Sequence, residues 1–166
     1  MRMNLSKTHK KGYAAVLGLE GYASGSLPKE LYELVKLRAS ILNGCSFCSD
    51  MHSHDALEMG MPAAKLFAVA AYNDSPLFSA AERAALRLTD AVTRLDPLQG
   101  VSDEVFNAAA EEFSEEEVGN LILAIATINV WNRIAITTQL EPPVRGSCRK
   151  QLHRPGWRSG MPSAVN

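Results

Sequence analysis

The fold is decided by one stretch, residues 28–60, which reads PKELYELVKLRASILNGCSFCSDMHSHDALEMG. Pro28 opens a helical pattern, because proline is favoured at the first position of a helix. Behind it, residues of one helix face recur at the i, i+3, i+4, i+7 spacing. They are Leu31, Leu34, Val35, Arg38, Ile41 and Leu42. Asn43-Gly44 ends this helix, and a second helix is predicted from the cysteine pair to Met59, with Gly60 after it.

Helix signals continue downstream of this stretch. Met61-Pro62 opens a third helix, which is predicted to end near the turn residues 73–76. Ser79 followed by Glu82 is a capping box and starts the next helix. A shorter helix begins at residues 102–104, where serine is followed by two acidic residues.

The last helix is the most apolar one. Ser114 with Glu117 forms a second capping box in front of it. Residues 118–140 are apolar on nearly every face, which is typical of a helix at the centre of a domain or beneath a partner subunit. No segment alternates apolar and polar residues over the length of a strand, so the sequence predicts an all-α fold.

Length and charge indicate one domain with a tail. The chain has 166 residues, of which 46% are hydrophobic and 21% charged, the balance of a globular protein with its own core. The formal net charge is −1, yet residues 145–166 hold five basic residues and no acidic one. We therefore predict a helical domain over 1–144 and a basic Gly/Pro-containing tail over 145–166. The acidic body argues against nucleic acid as a partner.

The cysteine count bears on location and chemistry. No Arg-rich or apolar leader opens the sequence, and the longest apolar run, near 121–130, is too short to span a bilayer. We therefore expect a cytoplasmic protein without membrane association. Cytoplasmic thiols are kept reduced, and three cysteines do not make a disulfide framework. A Cys-x-x-Cys motif in this setting indicates redox or metal chemistry.

The chemistry is expected on Cys45-x-x-Cys48-x-x-x-His52. On a helix, Cys45 lies at the entrance and is expected to be the more exposed thiol, while Cys48 lies about one turn in. Helix N–H groups and the helix dipole stabilise a thiolate there. His52 follows Cys48 by four residues and shares its face, so its imidazole can take the thiol proton. The two sulfurs can close a disulfide with little backbone movement.

Glu33 is a candidate partner of this motif. It precedes Cys45 by twelve residues on the preceding helix, and a helix-turn-helix can return that helix beside the cysteines. A carboxylate there can orient His52 and pass protons on. A plain surface charge is the alternative interpretation of Glu33.

One set of residues also fits a family pattern: Glu33, Leu37-Arg38-Ala39-Ser40, Asn43-Gly44-Cys45, Cys48, His52 and Gly60. This set resembles the AhpD-like core of the carboxymuconolactone decarboxylase family. Residues 74–86 and 114–133 resemble the peroxidase-related branch of the same family. The resemblance covers roughly Tyr13 to Glu141.

The resemblance implies a single-domain AhpD-like fold of about six to eight helices, assembled as a trimer or hexamer. It implies reduction of a small (alkyl) hydroperoxide with no cofactor and no metal. Cys48 would be the peroxidatic thiol, Cys45 would resolve its sulfenic acid, and Glu33 and His52 would relay protons. Electrons would come from a dithiol or from a thioredoxin-like or lipoyl reductant. Well-studied members carry a histidine between the cysteines, where this chain has Phe47.

Other interpretations stay open. The chain could be an oligomeric redox-sensing or binding module without turnover, or a cofactor-free decarboxylase or lactonase of the parent family. The decarboxylases generally lack the cysteine pair, so its presence argues against that activity. A zinc site could use Cys45, Cys48 and His52 with Cys148 or His153 as the fourth ligand. Ordinary buried cysteines without chemistry are a further possibility.

Polar residues elsewhere are expected to be structural. His54 lies on another helix face than His52 and is interpreted as a solvated histidine. The last helix carries a set of polar side chains that are expected to make their hydrogen bonds across a subunit contact rather than to be catalytic. Its members are Asn129, Trp131, Asn132 and Arg133.

Overall fold

The computed structural model describes residues 1–143. Over these residues it contains eight α-helices, one 3-10 helix and no strand beyond a single bridge between Asp96 and Gly100. The helices are α1 (Leu5–Thr8), α2 (Lys10–Ser26), α3 (Lys29–Asn43), α4 (Ser46–Glu58), α5 (Ala63–Ala68), the 3-10 helix (Val69–Asp74), α6 (Ala80–Thr93), α7 (Asp103–Glu112) and α8 (Glu115–Thr138). The all-α class and the number of helices are confirmed. The predicted tail 145–166 lies outside the described residues, so the domain division stays a prediction.

Both predicted capping boxes are present. At α6, the Glu82 backbone N–H donates to Ser79 Oγ at 3.1 Å, and the Ser79 N–H donates to Glu82 Oε2 at 2.9 Å. Ser114 and Glu117 make the same reciprocal pair at α8. These bonds satisfy N–H groups that a helix start leaves unpaired, which is why both starts could be located from sequence.

The turn between α3 and α4 positions the cysteine motif. Gly44 ends α3 in the left-handed region, with φ 69°, where a residue without Cβ is favoured. The N–H of Gly44 donates to the carbonyl of Ile41 at 3.1 Å, and that of Cys45 donates to the carbonyl of Ser40 at 2.9 Å. The chain reverses here, and α4 packs against α3.

Helix α3 is the centre of the fold. It packs against α4, α6 and α8 and is buried from Leu31 to Leu37 without a break, including the charged Glu33 and Lys36. The buried surface is therefore wider than the stripe that the sequence indicated, and Ile41 of that stripe is 37% exposed.

Three apolar clusters form the core. The first joins α2, α3, α6 and α8 around Val35, Leu88 and Ile125. The second joins α3 to α5 and the 3-10 helix around Leu34 and Val69. The third contains both cysteines together with Ala39, Ile128 and Ala135, and Phe47, Trp131 and Leu140 pack against it. The dithiol thus belongs to the core and not to a surface loop.

Two elements differ from the sequence prediction. Helices α1 and α2 were not predicted: α1 has only four residues, and four glycines in Lys10–Ser26 weaken the helical signal of α2. The predicted third helix divides into α5 and the 3-10 helix, which contains a kink at Ala71 with φ −126° and ψ 36°.

Helix α8 is longer than the apolar run inside it. Its 24 residues satisfy the length and composition of a membrane-spanning helix, although the run at 121–130 alone does not. In this fold ten of its residues are buried, among them Asn120, Thr127 and Asn132. A central helix of a globular core has the same length and composition.

Candidate active site

Cys45 and Cys48 lie side by side at the start of α4. Their Cα atoms are 5.4 Å apart and the two Sγ atoms are in bonding contact, as in a disulfide. Cys45 is the N-cap of α4, and its Sγ accepts the backbone N–H of Cys48 at 3.4 Å. The predicted placement at a helix entrance is confirmed. The expectation that Cys45 is the more exposed thiol is wrong, since both cysteines are 2% exposed.

Glu33 and His52 form the second part of the site. His52 Nδ1 donates to Glu33 Oε2 at 2.7 Å, and the two side chains are 3% and 8% exposed. Their helices meet because the Gly44 turn packs α4 on α3. His52 Nε2 is buried and has no hydrogen-bonding partner among residues 1–143. With its proton on Nδ1, the imidazole has a free lone pair on Nε2, which can act as a base.

The two cysteines line different cavities. A chamber of about 310 Å³ is lined by Cys48 and His52. A second, more open groove of about 390 Å³ is lined by Cys45. Phe47, Ala135 and Leu140 line both spaces, so these side chains lie between them. The dithiol therefore lies between two separate cavities.

The chamber also has a charged wall that the sequence did not predict. Glu20 of α2 and Lys36 of α3 both line it, and they are paired with each other. Tyr32 donates a hydrogen bond to Glu20 and accepts one from Lys36, while Trp131 Nε1 donates to Glu20 Oε2 at 2.8 Å. A lysine three residues after Glu33, on the same helix face, was the only sequence signal.

Hydrogen bonds and burial act in opposite directions on this pair. Burial alone would raise the pKa of Glu20, but the hydrogen bonds from Lys36, Tyr32 and Trp131 outweigh it, so this pKa lies below its usual range. Burial lowers the pKa of the Lys36 amine, and the Glu20 carboxylate opposes that shift. Glu20 is thus held as a carboxylate at the chamber wall.

A partly buried network of amide side chains holds the turn in front of the cysteines. Asn43 Nδ2 donates to Asn129 Oδ1 at 2.9 Å and to Asn132 Oδ1 at 2.8 Å, and Asn132 Nδ2 donates to Ser40 Oγ at 3.1 Å. Arg133 Nη1 donates to Asn129 Oδ1 at 2.9 Å. Asn129, Trp131 and Asn132 thus have hydrogen-bonding partners within the chain, whereas Arg133 is exposed and a subunit contact for it stays a prediction.

Other titratable side chains lie near the site. Asp55 joins Glu33 and His52, and one ligand atom of each lies within 4.8 Å of the others. Such an N/O donor set could hold a divalent metal ion. His54 does not belong to this set; its side chain is 39% exposed and its Nε2 lies 3.6 Å from Asp50 Oδ1. The further zinc ligands considered from sequence, Cys148 and His153, fall outside the described residues.

Sequence comparison identifies the family of this chain and one of its relatives. The family model for the carboxymuconolactone decarboxylase family matches residues 9–91, which include the whole of the Glu33 and cysteine motif. The uncharacterized protein YdfG of Bacillus subtilis is 36% identical over 136 residues, covering 81% of this chain and 92% of YdfG.

Solved structures share the fold. ATU0492 of Agrobacterium tumefaciens, a protein of unknown function described in connection with AhpD antioxidant defence, is 37% identical with a TM-score of 0.83. That match covers 87% of this chain and 99% of ATU0492. The debrominase Bmp8 is 25% identical with a TM-score of 0.71, covering 79% of this chain and 70% of Bmp8. The chain therefore belongs to the carboxymuconolactone decarboxylase family and has an AhpD-like fold.

Proposed function

We propose that the protein is a thiol peroxidase that reduces organic hydroperoxides through the Cys45–Cys48 dithiol. The observation that carries this proposal is the bonding contact between two buried sulfurs, one of which shares a chamber with His52. A thiol beside a base can reduce a peroxide, and a second thiol close by can then resolve the sulfenic acid as a disulfide.

In the first step, the Cys48 thiolate attacks one peroxide oxygen and the O–O bond breaks. The products are a Cys48 sulfenic acid and an alkoxide, which leaves as the alcohol after taking a proton from His52. His52 has received that proton from the Cys48 thiol, and Glu33 stabilises the imidazolium through the 2.7 Å contact with Nδ1.

In the second step, the Cys45 thiol attacks the sulfur of the Cys48 sulfenic acid. A disulfide forms and water leaves. An external dithiol, of the lipoyl or thioredoxin-like class, then reduces this disulfide and is itself oxidised. We propose that the reductant enters by the groove at Cys45, because the chamber at Cys48 is the route for the peroxide.

The test is a steady-state assay on the full-length protein with cumene hydroperoxide as oxidant and dihydrolipoamide as reductant. We expect many turnovers for each dithiol, with loss of activity in Cys45→Ser and full activity in Cys148→Ser, the matched control for the third thiol. A single stoichiometric oxidation without turnover would contradict the enzyme and favour a redox-sensing or binding module. The decarboxylase or lactonase alternative remains disfavoured, because it makes no use of the buried dithiol.

A second candidate function is reductive debromination, which would use the same two electrons of the Cys45–Cys48 dithiol. The chamber has aromatic walls, since Tyr13 and Trp131 stack edge-to-face with ring centroids 5.2 Å apart. Among proteins of this fold, a cysteine-to-alanine variant of the debrominase Bmp8 has been solved with 2,3,4-tribromopyrrole. The corresponding reaction converts an aryl bromide and the dithiol into the arene, bromide, a proton and the disulfide. Release of bromide from tribromopyrrole faster than hydroperoxide consumption would favour it.

We further propose a symmetric trimer or hexamer in the cytoplasm. Four large apolar side chains on α8 are 36–45% exposed in the single chain: Ile122, Leu123, Val130 and Ile136. Exposed apolar side chains on one helix are typical of a surface that a partner subunit covers. The cytoplasm supplies the reducing thiols on which the dithiol cycle depends.

A further inference from the structure

The chamber at Cys48 has a charged wall that the proposed reaction does not use. Lys36 is 1% exposed and is paired with Glu20 at this wall. Replacing a buried ion pair by apolar residues of similar volume is often neutral for stability, or favourable. Packing alone therefore gives no reason for a lysine where a methionine would fill the same volume.

The pair has hydrogen-bonding capacity to spare. An ammonium group has three N–H donors, and within residues 1–143 Lys36 Nζ has two hydrogen-bonding partners, Glu20 and Tyr32. Glu20 Oε2 accepts one hydrogen bond, from Trp131, whereas a carboxylate oxygen can accept two. One donor and one acceptor thus remain on neighbouring groups of the same wall.

The charges around Lys36 favour a neutral ligand over an anionic one. Glu20 neutralises Lys36, and Glu33 and Asp55 add further negative charge that acts on Lys36. An anionic ligand would meet the Glu20 carboxylate beside the one ammonium group of the chamber wall, with those further negative charges nearby, and would gain little. A hydroxyl group is neutral and both donates and accepts one hydrogen bond. The other chamber walls include Tyr13, Leu17, Met51 and Leu140, which suit an apolar body.

We propose that this chamber binds a neutral, largely apolar small molecule through one hydroxyl group, which accepts a hydrogen bond from Lys36 Nζ and donates one to Glu20 Oε2. This contact turns the opposite end of the molecule toward Cys48. Only that orientation for catalysis rests on the proposed peroxidase function; the binding itself does not.

Calorimetric titration of the reduced full-length protein tests the site with three probes of similar size: benzyl alcohol, benzoate and toluene. We expect benzyl alcohol to bind about tenfold more tightly than either of the others, the order of magnitude of one well-placed hydrogen bond. In Lys36→Met this preference should fall to about twofold or less. Lys65→Met should keep it, because Lys65 forms a half-buried pair with Glu82 away from the chamber.

Several outcomes overturn the proposal. It is wrong if benzoate binds more tightly than the alcohol, if Lys36→Met keeps the preference, or if none of the probes binds. The double variant Glu20→Gln with Lys36→Met removes both charges together, so it tests the same point if Lys36→Met alone unfolds. Preference for the alcohol without peroxide turnover would contradict only the proposed function, and turnover without preference would contradict only this binding site.

Discussion

Glu33→Gln tests the proton relay through Glu33 and His52 without disturbing the fold. Glutamine has nearly the same volume and can still accept the hydrogen bond from His52 Nδ1, which Glu33 Oε2 accepts at 2.7 Å. What is lost is the negative charge that stabilises the imidazolium. A hydrogen bond to a charged group contributes about 1.5–3 kcal/mol and one between neutral groups about 0.5–1.5 kcal/mol, so about 1–1.5 kcal/mol is lost. Since about 1.4 kcal/mol corresponds to tenfold in rate, we expect the Cys48 oxidation step to be about 5- to 13-fold slower.

The assay is a stopped-flow single turnover, in which the reduced protein is mixed with cumene hydroperoxide and the remaining thiols are counted over time. Glu30→Gln is the matched control, since Glu30 lies one turn earlier on the same helix and is exposed, and its rate should equal that of the wild type. A rate for Glu33→Gln within threefold of the wild type, with an unchanged unfolding midpoint, would refute the role of Glu33.

Three further predictions concern stability and assembly. Asn132→Ala removes a fully buried side chain that bonds Asn43 and Ser40, so urea titration should show a loss of about 2 kcal/mol in the free energy of unfolding; a loss below about 0.5 kcal/mol would contradict it. Burial alone would raise the pKa of Glu82, but hydrogen bonds from Lys65 and Ser79 hold this pKa below its usual 4.5; Glu82→Gln should therefore destabilise the protein at neutral pH, and the difference should disappear as the pH falls through the lowered pKa. Sedimentation at micromolar concentration should show an oligomer, and a single species of 18.0 kDa would contradict the proposed assembly.

The parts of the fold that the sequence predicted correctly are those set by local chemistry. The two capping boxes and the stop at Gly44 depend on hydrogen bonds and backbone angles within a few residues, so the pattern alone identifies them. The pairing of Glu33 with His52 could be anticipated for a different reason: one short turn connects their helices, which then pack against each other.

The parts that were missed depend on tertiary packing. Helix α2 contains four glycines and has one buried residue, Ala23, so propensity and periodicity both fail to identify it. Without α2, neither Glu20 nor the charged wall of the chamber could be predicted. The equal burial of the two cysteines likewise depends on Trp131 and Leu140, which pack against their cluster from a distant part of the chain.

The N-cap position of Cys45 raises the question of which of the two thiols attacks the peroxide. Helix N–H groups favour negative charge on Cys45, whose Sγ accepts the Cys48 N–H at 3.4 Å. His52, which can protonate the departing alkoxide, shares its chamber with Cys48. Because breaking the O–O bond requires that proton, we assign the attack to Cys48.

The most direct test traps the sulfenic acid by mass spectrometry after one equivalent of cumene hydroperoxide. Cys45→Ser should carry the adduct on Cys48, and Cys48→Ser should neither consume peroxide nor carry an adduct. An adduct on Cys45 in the Cys48→Ser protein, with none on Cys48 in the reciprocal variant, would reverse the assignment. The absence of an adduct from both variants would contradict peroxide reduction by this dithiol.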